Sequence, residues 1–384
     1  MLPLLSTRLL VVLAGMSVLI VVATVLLWDR APGPRPARTG LRVVALLLGQ
    51  VMAVATCAIA LNDYGFFYGS WSELLGHQDR VAAVSRTDHV RTAPDGRGVV
   101  GGGGRVLGPA PFEAGSVPAR DGKTVTVRLP GRRSGLAEIG FVHLPPEYFQ
   151  PGWEHTQFPA VEVLTGYPGQ ATDLLKTLDV PAALRQVQRA GTAGPMVLVM
   201  LRSSPAFPRD TECVDVPRGP QAFTYFSQDV PADVASLFRV RPVGWGAMGD
   251  STGGYCASKL AVTNSYVFPA AVALSGFNSP PQDLTTGDLF GGSASLRAQS
   301  DLVHLLRTGH SPAASLLLTT TRTERGPSGL DAVQTLQRAA RPPLQVDTLI
   351  ETRGGHSFST WRPELPTVLA WLSSHLHPPR TPTG

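Results

Sequence analysis

The segment Gly249-Asp250-Ser251-Thr252-Gly253 constrains the fold of this chain more strongly than any other stretch. An apolar run leads into this Gly-x-Ser-x-Gly pattern, and the small residues after it are typical of the beginning of a helix. The order predicts a nucleophile elbow, a sharp turn between a strand and a helix that lifts a serine above the edge of a sheet. Glycine is expected on both sides of the serine because side chains there would collide with neighbouring backbone.

Strand and helix patterns alternate along the chain from residue 123 to residue 376. Strands are predicted at 124–129, 137–144, 158–164, 196–201, 243–248, 271–275, 315–321 and 346–351. Helices are predicted at 181–190, 230–239, 252–265, 330–340 and 361–376. This alternation predicts a mostly parallel sheet with helices on both faces, and together with the elbow it predicts the α/β-hydrolase fold.

A serine hydroxyl is a weak nucleophile unless a base removes its proton and an acid orients that base. In chains with this kind of elbow the three residues follow one another as serine, acid and histidine. Of the nine histidines, His356 lies just after a late predicted strand, in a glycine-flanked loop. We therefore predict that His356 is the base for Ser251.

The acid should lie on the loop after the strand predicted at 315–321, and two carboxylates compete for the role. Glu324 comes three residues after that strand, which makes it the preferred acid. Asp331 comes seven residues later at a predicted helix start, where an aspartate is favoured for another reason, the helix dipole. Asp250 adjoins the nucleophile but points elsewhere, and we expect it to shape the rim of the pocket.

Two backbone N–H groups are expected to hold the negative charge that develops on the substrate oxygen. One belongs to Thr252, directly after the nucleophile. The other should come from the segment Thr165-Gly166-Tyr167-Pro168-Gly169 after the third predicted strand, and Tyr167 is the preferred donor because Pro168 has no N–H. The alternative for this segment is a plain proline-glycine turn.

The chain has three cysteines, and no spacing among its cysteines and histidines is typical of a metal site. Cys57 falls within an apolar run. Cys213 and Cys256 should lie near the same sheet edge, because one follows the strand next to the elbow strand and the other lies in the elbow helix. We predict a Cys213–Cys256 disulfide, and the alternative is two separate buried thiols.

Two uncharged apolar runs, 9–27 and 43–61, are each long enough to cross a bilayer as a helix. A signal peptide is the alternative for the first run, but no cleavage site follows it. The proline-rich segment between the runs is predicted to be a loop, and it contains Arg30, Arg35, Arg38 and Arg42. This charge predicts a cytoplasmic loop, with both chain ends outside and an interfacial belt of aromatic residues at 64–71.

These patterns divide the chain into a membrane anchor at 1–76, a flexible linker at 77–118, a catalytic domain at 119–378 and a tail at 379–384. The net charge is +5, but the basic residues form no stripe interleaved with aromatic residues, so no nucleic-acid partner is expected. No cofactor is expected either, because the predicted chemistry needs only side chains and backbone.

Four segments, read together, carry a family resemblance. They are 249–257 at the elbow, 210–215 with the sequence Asp-Thr-Glu-Cys-Val-Asp, 354–357 together with the later Trp361, and 67–74 after the second apolar run. In combination they resemble an actinobacterial family of membrane-anchored esterases with the α/β-hydrolase fold, related to the antigen 85 mycolyltransferases and to the esterase D group. The resemblance covers about 62–378, but the elbow differs from that of the mycolyltransferases.

The resemblance implies a multi-pass membrane protein whose extracytoplasmic domain is a serine esterase or acyltransferase, with Ser251, His356 and a carboxylate near Glu324 as its triad. Its substrate would be an acyl ester, for example a lipid or sugar ester of the cell envelope. The other class of function is a non-catalytic binding or scaffold protein of the cell envelope, since a fold does not by itself define an activity.

Overall fold

A computed structural model of the protein describes residues 7–30, 33–65, 71, 103–111 and 117–381. The chain divides into two compact units, Met1–Val81 and Ala82–Gly384. The aromatic belt predicted at 64–71 and much of the linker predicted at 77–118 lie outside the described residues, apart from the backbone of Tyr64 and Gly65 and residue Trp71.

The N-terminal unit contains two long helices, α1 (Thr7–Leu27) and α2 (Arg35–Gly65). By length and composition, the segments Arg8–Arg30 and Arg35–Asn62 could each cross a membrane. A hydrogen bond of 3.1 Å joins the Ser17 and Thr56 hydroxyl groups, so the two helices contact each other.

The predicted loop between the two apolar runs is shorter than expected. Arg35, Arg38 and Arg42 lie in the first turns of α2 and not in a loop. The reason is Pro36, whose fixed φ angle suits the first turn of a helix. Arg42 donates two hydrogen bonds to the Trp28 carbonyl oxygen, at 3.1 and 2.7 Å, so the basic residues remain at this end of the helix pair.

Within the described residues of the second unit, nine strands form one sheet in the order β1-β2-β3-β5-β4-β6-β7-β8-β9. The pairs β1–β2, β2–β3 and β3–β5 are antiparallel. The pairs β5–β4, β4–β6, β6–β7, β7–β8 and β8–β9 are parallel. The strands are β1 (Arg105–Pro109), β2 (Lys123–Pro130), β3 (Ala137–Leu144), β4 (Ala160–Thr165), β5 (Val197–Arg202), β6 (Gly246–Asp250), β7 (Ala270–Leu274), β8 (Ser315–Thr321) and β9 (Gln345–Glu351). This is the mostly parallel sheet that the sequence predicts.

Helices connect the parallel strands and cover the sheet. In the second unit they are α3 (Pro118–Asp121), α4 (Ala171–Lys176), α5 (Val180–Arg189), α6 (Ala222–Thr224), α7 (Val230–Leu237), α8 (Thr252–Thr263), α9 (Ala294–Gln299), α10 (Leu302–Arg307), α11 (Leu330–Ala339) and α12 (Phe358–His375). A π-helical turn at Tyr225–Asp229 joins α6 to α7. The elbow helix α8 packs against the central strands and is buried along almost its whole length.

The prediction of a flexible linker over 77–118 is wrong for Arg105–Pro109, which forms the edge strand β1 paired with β2. Glycine and proline in this stretch obscure its strand pattern. An edge strand tolerates both, because one side of it needs no ladder partners and a bulge absorbs an extra residue. The register indeed shifts between Val106 and Gly108.

The predicted disulfide is present, although β5 is not next to the elbow strand β6 as expected, because β4 lies between them. Cys213 and Cys256 have Cα atoms 5.4 Å apart, and they are separated by 43 residues along the chain. The bond fixes the loop after β5 to the buried face of α8. Closing a loop of this length stabilises the fold by about 4 kcal/mol in the chain-entropy treatment.

An isolated acid lies inside the sheet. Glu162 is in the middle of β4 between β5 and β6, and it is fully buried. Among the described residues neither of its carboxyl oxygens has a hydrogen-bond partner. Burial raises the pKa of Glu162 well above its ordinary value of 4.5, so the side chain is retained in its neutral, protonated form.

Glu162→Gln should flatten the decline of stability with rising pH. Because the folded-state pKa of Glu162 is raised, unfolding releases its proton in the pH range between 4.5 and the folded-state value, and stability falls as pH rises through that range. In the variant, the decline of the free energy of unfolding with pH should be less steep by up to about 1.4 kcal/mol per pH unit. Urea unfolding of both proteins between about pH 5.5 and 7.5 measures it, and parallel slopes would contradict the assignment.

Candidate active site

The predicted nucleophile occupies a strained turn at the centre of the sheet. Strand β6 ends at Asp250, helix α8 begins at Thr252, and Ser251 between them has φ 53° and ψ −120°. A non-glycine residue with positive φ is unfavourable, and such strain is common where a side chain must be held for chemistry. The local geometry is therefore that of a nucleophile elbow.

The two glycines of the elbow allow α8 to approach the sheet. A Cβ atom on Gly253 would lie 2.2 Å from the carbonyl oxygen of Leu164 in β4. A Cβ atom on Gly249 would lie 2.4 Å from the backbone of Gly253. Backbone atoms cannot yield at these distances, so glycine is needed at both positions for the turn to close.

The structure brings the three predicted residues together from loops that follow three different strands. His356 Nε2 lies 2.7 Å from Ser251 Oγ, and His356 Nδ1 lies 2.9 Å from Glu324 Oε1. Both distances are within hydrogen-bond range. The imidazole is thus aligned between a hydroxyl that it can deprotonate and a carboxylate that can orient it.

Glu324 is held as an anion by several donors. Its side chain is only 3% exposed, and besides His356 it accepts hydrogen bonds from the Ser328 hydroxyl at 2.7 Å and the Ser275 hydroxyl at 2.8 Å. Burial opposes ionisation, but the hydrogen bonds from His356, Ser328 and Ser275 outweigh it and hold the pKa of Glu324 below its ordinary value. The alternative acid, Asp331, lies in the first turn of α11 and makes none of the hydrogen bonds to His356 found among the described residues.

Sequence reasoning missed the groups that support this acid. Trp361 Nε1 donates to Ser275 Oγ at 3.0 Å, and the same indole makes a T-shaped contact with the His356 ring, with centroids 5.0 Å apart. Ser275 is also the first residue after β7, and its φ is 49°. The position of Ser275 at the carboxyl end of a central strand could have indicated a role near the site. Its contact with Glu324, however, depends on how the loops are arranged in three dimensions.

The segment predicted to supply the second backbone donor lies beside the nucleophile. A Cβ atom on Gly166 would be only 2.8 Å from Ser251 Cβ, and Tyr167 follows directly. The Tyr167 hydroxyl donates to the Pro208 carbonyl oxygen at 2.8 Å, which joins this segment to the loop after β5. The first donor, Thr252, is at the N-terminus of α8, where backbone N–H groups and the helix dipole favour negative charge.

Asp250 does not shape the rim of the pocket, contrary to the sequence-based expectation. It is 2% exposed, and its Oδ2 accepts a hydrogen bond of 2.9 Å from the Gly166 N–H. Alternate residues of a strand point to opposite faces of the sheet, and the Asp250 carboxyl group points towards the Gly166 backbone. Burial raises the pKa of Asp250 to about 7, although the Gly166 hydrogen bond and His356 oppose this shift.

A pair of buried acids, Asp210 and Glu212, lies next to the Thr252 side chain. The Thr252 hydroxyl is 3.5 Å from Asp210 Oδ2 and 3.3 Å from Glu212 Oε1, and both carboxyl groups are buried. Burial, together with repulsion from Asp210, raises the pKa of Glu212 to about 9. Glu212 is therefore protonated near neutral pH, and the pair fixes the loop after β5 against the elbow.

Comparison with known proteins identifies one family for this chain. A model of the family described as "Putative esterase" matches residues 139–372, which contain Ser251, Glu324 and His356. No curated protein matches the sequence.

Several solved structures have the same fold. An S-formylglutathione hydrolase from Agrobacterium tumefaciens is 15% identical with a TM-score of 0.59, covering 71% of this chain and 99% of its own. A ferulic acid esterase is 18% identical with a TM-score of 0.55, covering 67% and 99%. The fluorophosphonate-binding serine hydrolase FphF of Staphylococcus aureus is 17% identical with a TM-score of 0.54, covering 66% and 98%. At these identities the likeness shows the α/β-hydrolase fold of the second unit.

Glu324→Gln should reduce kcat for an activated ester by about 10³- to 10⁴-fold, because the amide removes the charge that stabilises the imidazolium and favours the wrong tautomer. The matched control is Asp331→Asn, which should leave kcat nearly unchanged. Circular dichroism and unfolding midpoints check that both variants are folded. If Asp331→Asn were the more damaging change, the acid would have to be reassigned.

Proposed function

Because this chain belongs to the esterase family, we propose that it hydrolyses carboxylic esters through an acyl-enzyme on Ser251, with His356 as base and Glu324 as the orienting acid. Ester hydrolysis as the type of reaction follows from family membership. The assignment of roles is supported above all by one observation, the continuous hydrogen-bond chain from Ser251 through His356 to Glu324.

The proposed reaction has two halves. As Ser251 Oγ attacks the ester carbonyl carbon, His356 Nε2 takes the hydroxyl proton, and Glu324 stabilises the resulting imidazolium. The backbone N–H groups of Thr252 and Tyr167 hold the negative oxygen of the tetrahedral intermediate. When the intermediate collapses, His356 returns the proton to the departing alcohol and the acyl group remains on Ser251.

In the second half a water molecule attacks the acyl carbon while His356 removes its proton. The bond between the acyl carbon and Ser251 Oγ then breaks, His356 returns the proton to Oγ, and the carboxylic acid leaves. An alcohol can take the place of water at this step, in which case the same acyl-enzyme produces a new ester, so hydrolysis and acyl transfer differ only in the second nucleophile.

The rim of the site favours an apolar acyl or alcohol group. Phe207 is 44% exposed, and its ring centroid lies 6.3 Å from that of Tyr167, which borders the predicted oxyanion site. Aromatic surface beside a nucleophile favours substrates with hydrocarbon or aromatic parts over small polar esters. We infer a substrate of that class, for example a lipid ester or acylated sugar of the cell envelope.

We further propose that the esterase unit is extracytoplasmic and held at the membrane by α1 and α2. The proposal is supported by the apolar character of both helices and by the arginines at their junction, which favour a cytoplasmic connection. The Cys213–Cys256 disulfide is consistent with an oxidising compartment outside the cytoplasm.

A fluorophosphonate probe should label the full chain at one site, and Ser251→Ala should abolish labelling. Hydrolysis of p-nitrophenyl butyrate should fall by at least about 10⁴-fold in the same variant. Adding a sugar alcohol as acceptor and measuring new ester against free acid separates acyl transfer from hydrolysis. Failure of the wild-type chain to react with the probe or with any activated ester would favour the scaffold function.

A reporter fused after Gly76 tests the orientation. Alkaline phosphatase, which is active only after export, should be active at this position, and a reporter active only in the cytoplasm should be silent. The matched control is the same pair of reporters fused after Gly33, between the two helices, where the opposite pattern is expected. The reverse result at both positions would contradict the proposed topology.

A further inference from the structure

A buried ammonium group lies in the elbow helix, away from the candidate active site. Lys259 is 6% exposed, and its Nζ donates to the Cys213 carbonyl oxygen at 2.9 Å and contacts the Ser300 hydroxyl at 3.4 Å. None of the ion pairs among the described residues includes Lys259. A buried charge without an ionic partner is costly, and the Phe223 and Tyr255 rings, with centroids 5.0 and 5.7 Å from Nζ, offset only part of that cost.

The acids in the neighbourhood do not neutralise this charge. Asp215 and Glu212 act on Lys259 only from beyond ion-pair distance. Both Asp215 carboxylate oxygens accept hydrogen bonds from Thr224, at 2.9 and 2.7 Å, and Glu212 is protonated near neutral pH. Burial lowers the pKa of Lys259 to about 8, so the amine is still mostly protonated near neutral pH.

The ammonium borders a cavity of about 350 Å³. The larger part of its lining is apolar, from Val214, Phe223, Leu296 and Leu305. The polar part beside Lys259 comes from Asp215, Thr263, Gln299, Ser300 and His310. This volume is at the lower end of the range for small-molecule sites in proteins. A cavity with one cation, apolar walls and a carboxylate that is already engaged by Thr224 suits a ligand that has one anionic end and a short hydrocarbon body.

The cavity is separate from the predicted active site. Its lining includes neither Ser251 nor Glu324 nor His356. Lys259 follows Ser251 by eight residues, a distance of about 12 Å along the axis of α8 at about 1.5 Å per residue. The disulfide at Cys256 lies between them on the same helix.

We propose that this cavity is a second binding site, which takes a small aliphatic or aromatic carboxylate whose anionic group pairs with Lys259. A doubly charged phosphate fits less well, because the site offers one cation and Asp215 also lines the cavity. A monocarboxylate needs one charge-assisted hydrogen bond from Lys259 and neutral donors such as Ser300 for its second oxygen. The hydrocarbon part would then be buried against Phe223 and the leucines.

The lysine composition of the chain allows a direct test. The sequence contains only Lys123, Lys176 and Lys259, so lysine labelled with ¹³C at Cε gives three assignable signals. The full chain in zwitterionic nanodiscs is titrated with hexanoate and, as a neutral match, with hexanol. Hexanoate should move the Lys259 signal saturably and raise the pH midpoint of its titration, whereas hexanol should do neither.

Two variants separate the charge from the cavity. Lys259→Met keeps the length of the side chain and removes its charge, and hexanoate affinity measured by calorimetry should fall by roughly ten- to hundredfold. Leu296→Trp keeps the ammonium and fills the cavity from its wall, and it should weaken binding to a similar extent. Circular dichroism and urea-unfolding midpoints check that each variant is folded, without reference to any enzymatic activity.

Three results would overturn the proposal. They are a Lys259 signal that does not respond to millimolar hexanoate, an equal response to hexanol, and unchanged hexanoate affinity in Leu296→Trp. If Lys259→Met does not fold, the Leu296→Trp variant and the wild-type titration still decide the question. None of these measurements depends on Ser251, so they can fail while the proposed esterase activity stands.

Discussion

The approach of helix α8 to strand β4 sets the position of Ser251 and of the Thr252 N–H in the candidate active site. Gly253 lies so close to the Leu164 carbonyl oxygen that even a methyl group would collide with it. This contact forces the chain to reverse within one residue, and Ser251 takes a positive φ as a result. The strain is sustained because β6 is bordered on both sides by parallel strands, so the turn cannot relax without breaking the sheet.

The acids around the site differ in charge because they differ in the number of donors that they face. Glu324 receives hydrogen bonds from His356, Ser328 and Ser275, and these outweigh the effect of burial on its pKa. Asp250 receives one from Gly166, and burial prevails in setting its pKa. Glu212 faces another carboxyl group and is protonated near neutral pH. The imidazole therefore has one strongly held anion beside it, on the side away from Ser251.

The fold and the meeting of Ser251, His356 and Glu324 could be predicted because they follow from chain order and local pattern. Ser251 is marked by its glycines, and His356 and Glu324 are marked by their places after late strands. The support of Glu324 by Ser275 and Ser328 could not be predicted, since it depends on how separate loops meet. The burial of Lys259 could not be predicted either, because a lysine within a helix pattern is usually exposed to solvent.

The disulfide determines what a single cut in the chain can separate. Cys213 and Cys256 enclose β6 and Ser251 within one covalent ring. If a protease cut the chain once within that ring, for example at the exposed Arg218, the two fragments would remain joined. The fragment with Cys213 would still hold Asp210 and Glu212, and the fragment with Cys256 would hold Ser251, Glu324 and His356. Such a nicked molecule would migrate as one species until its disulfide was reduced.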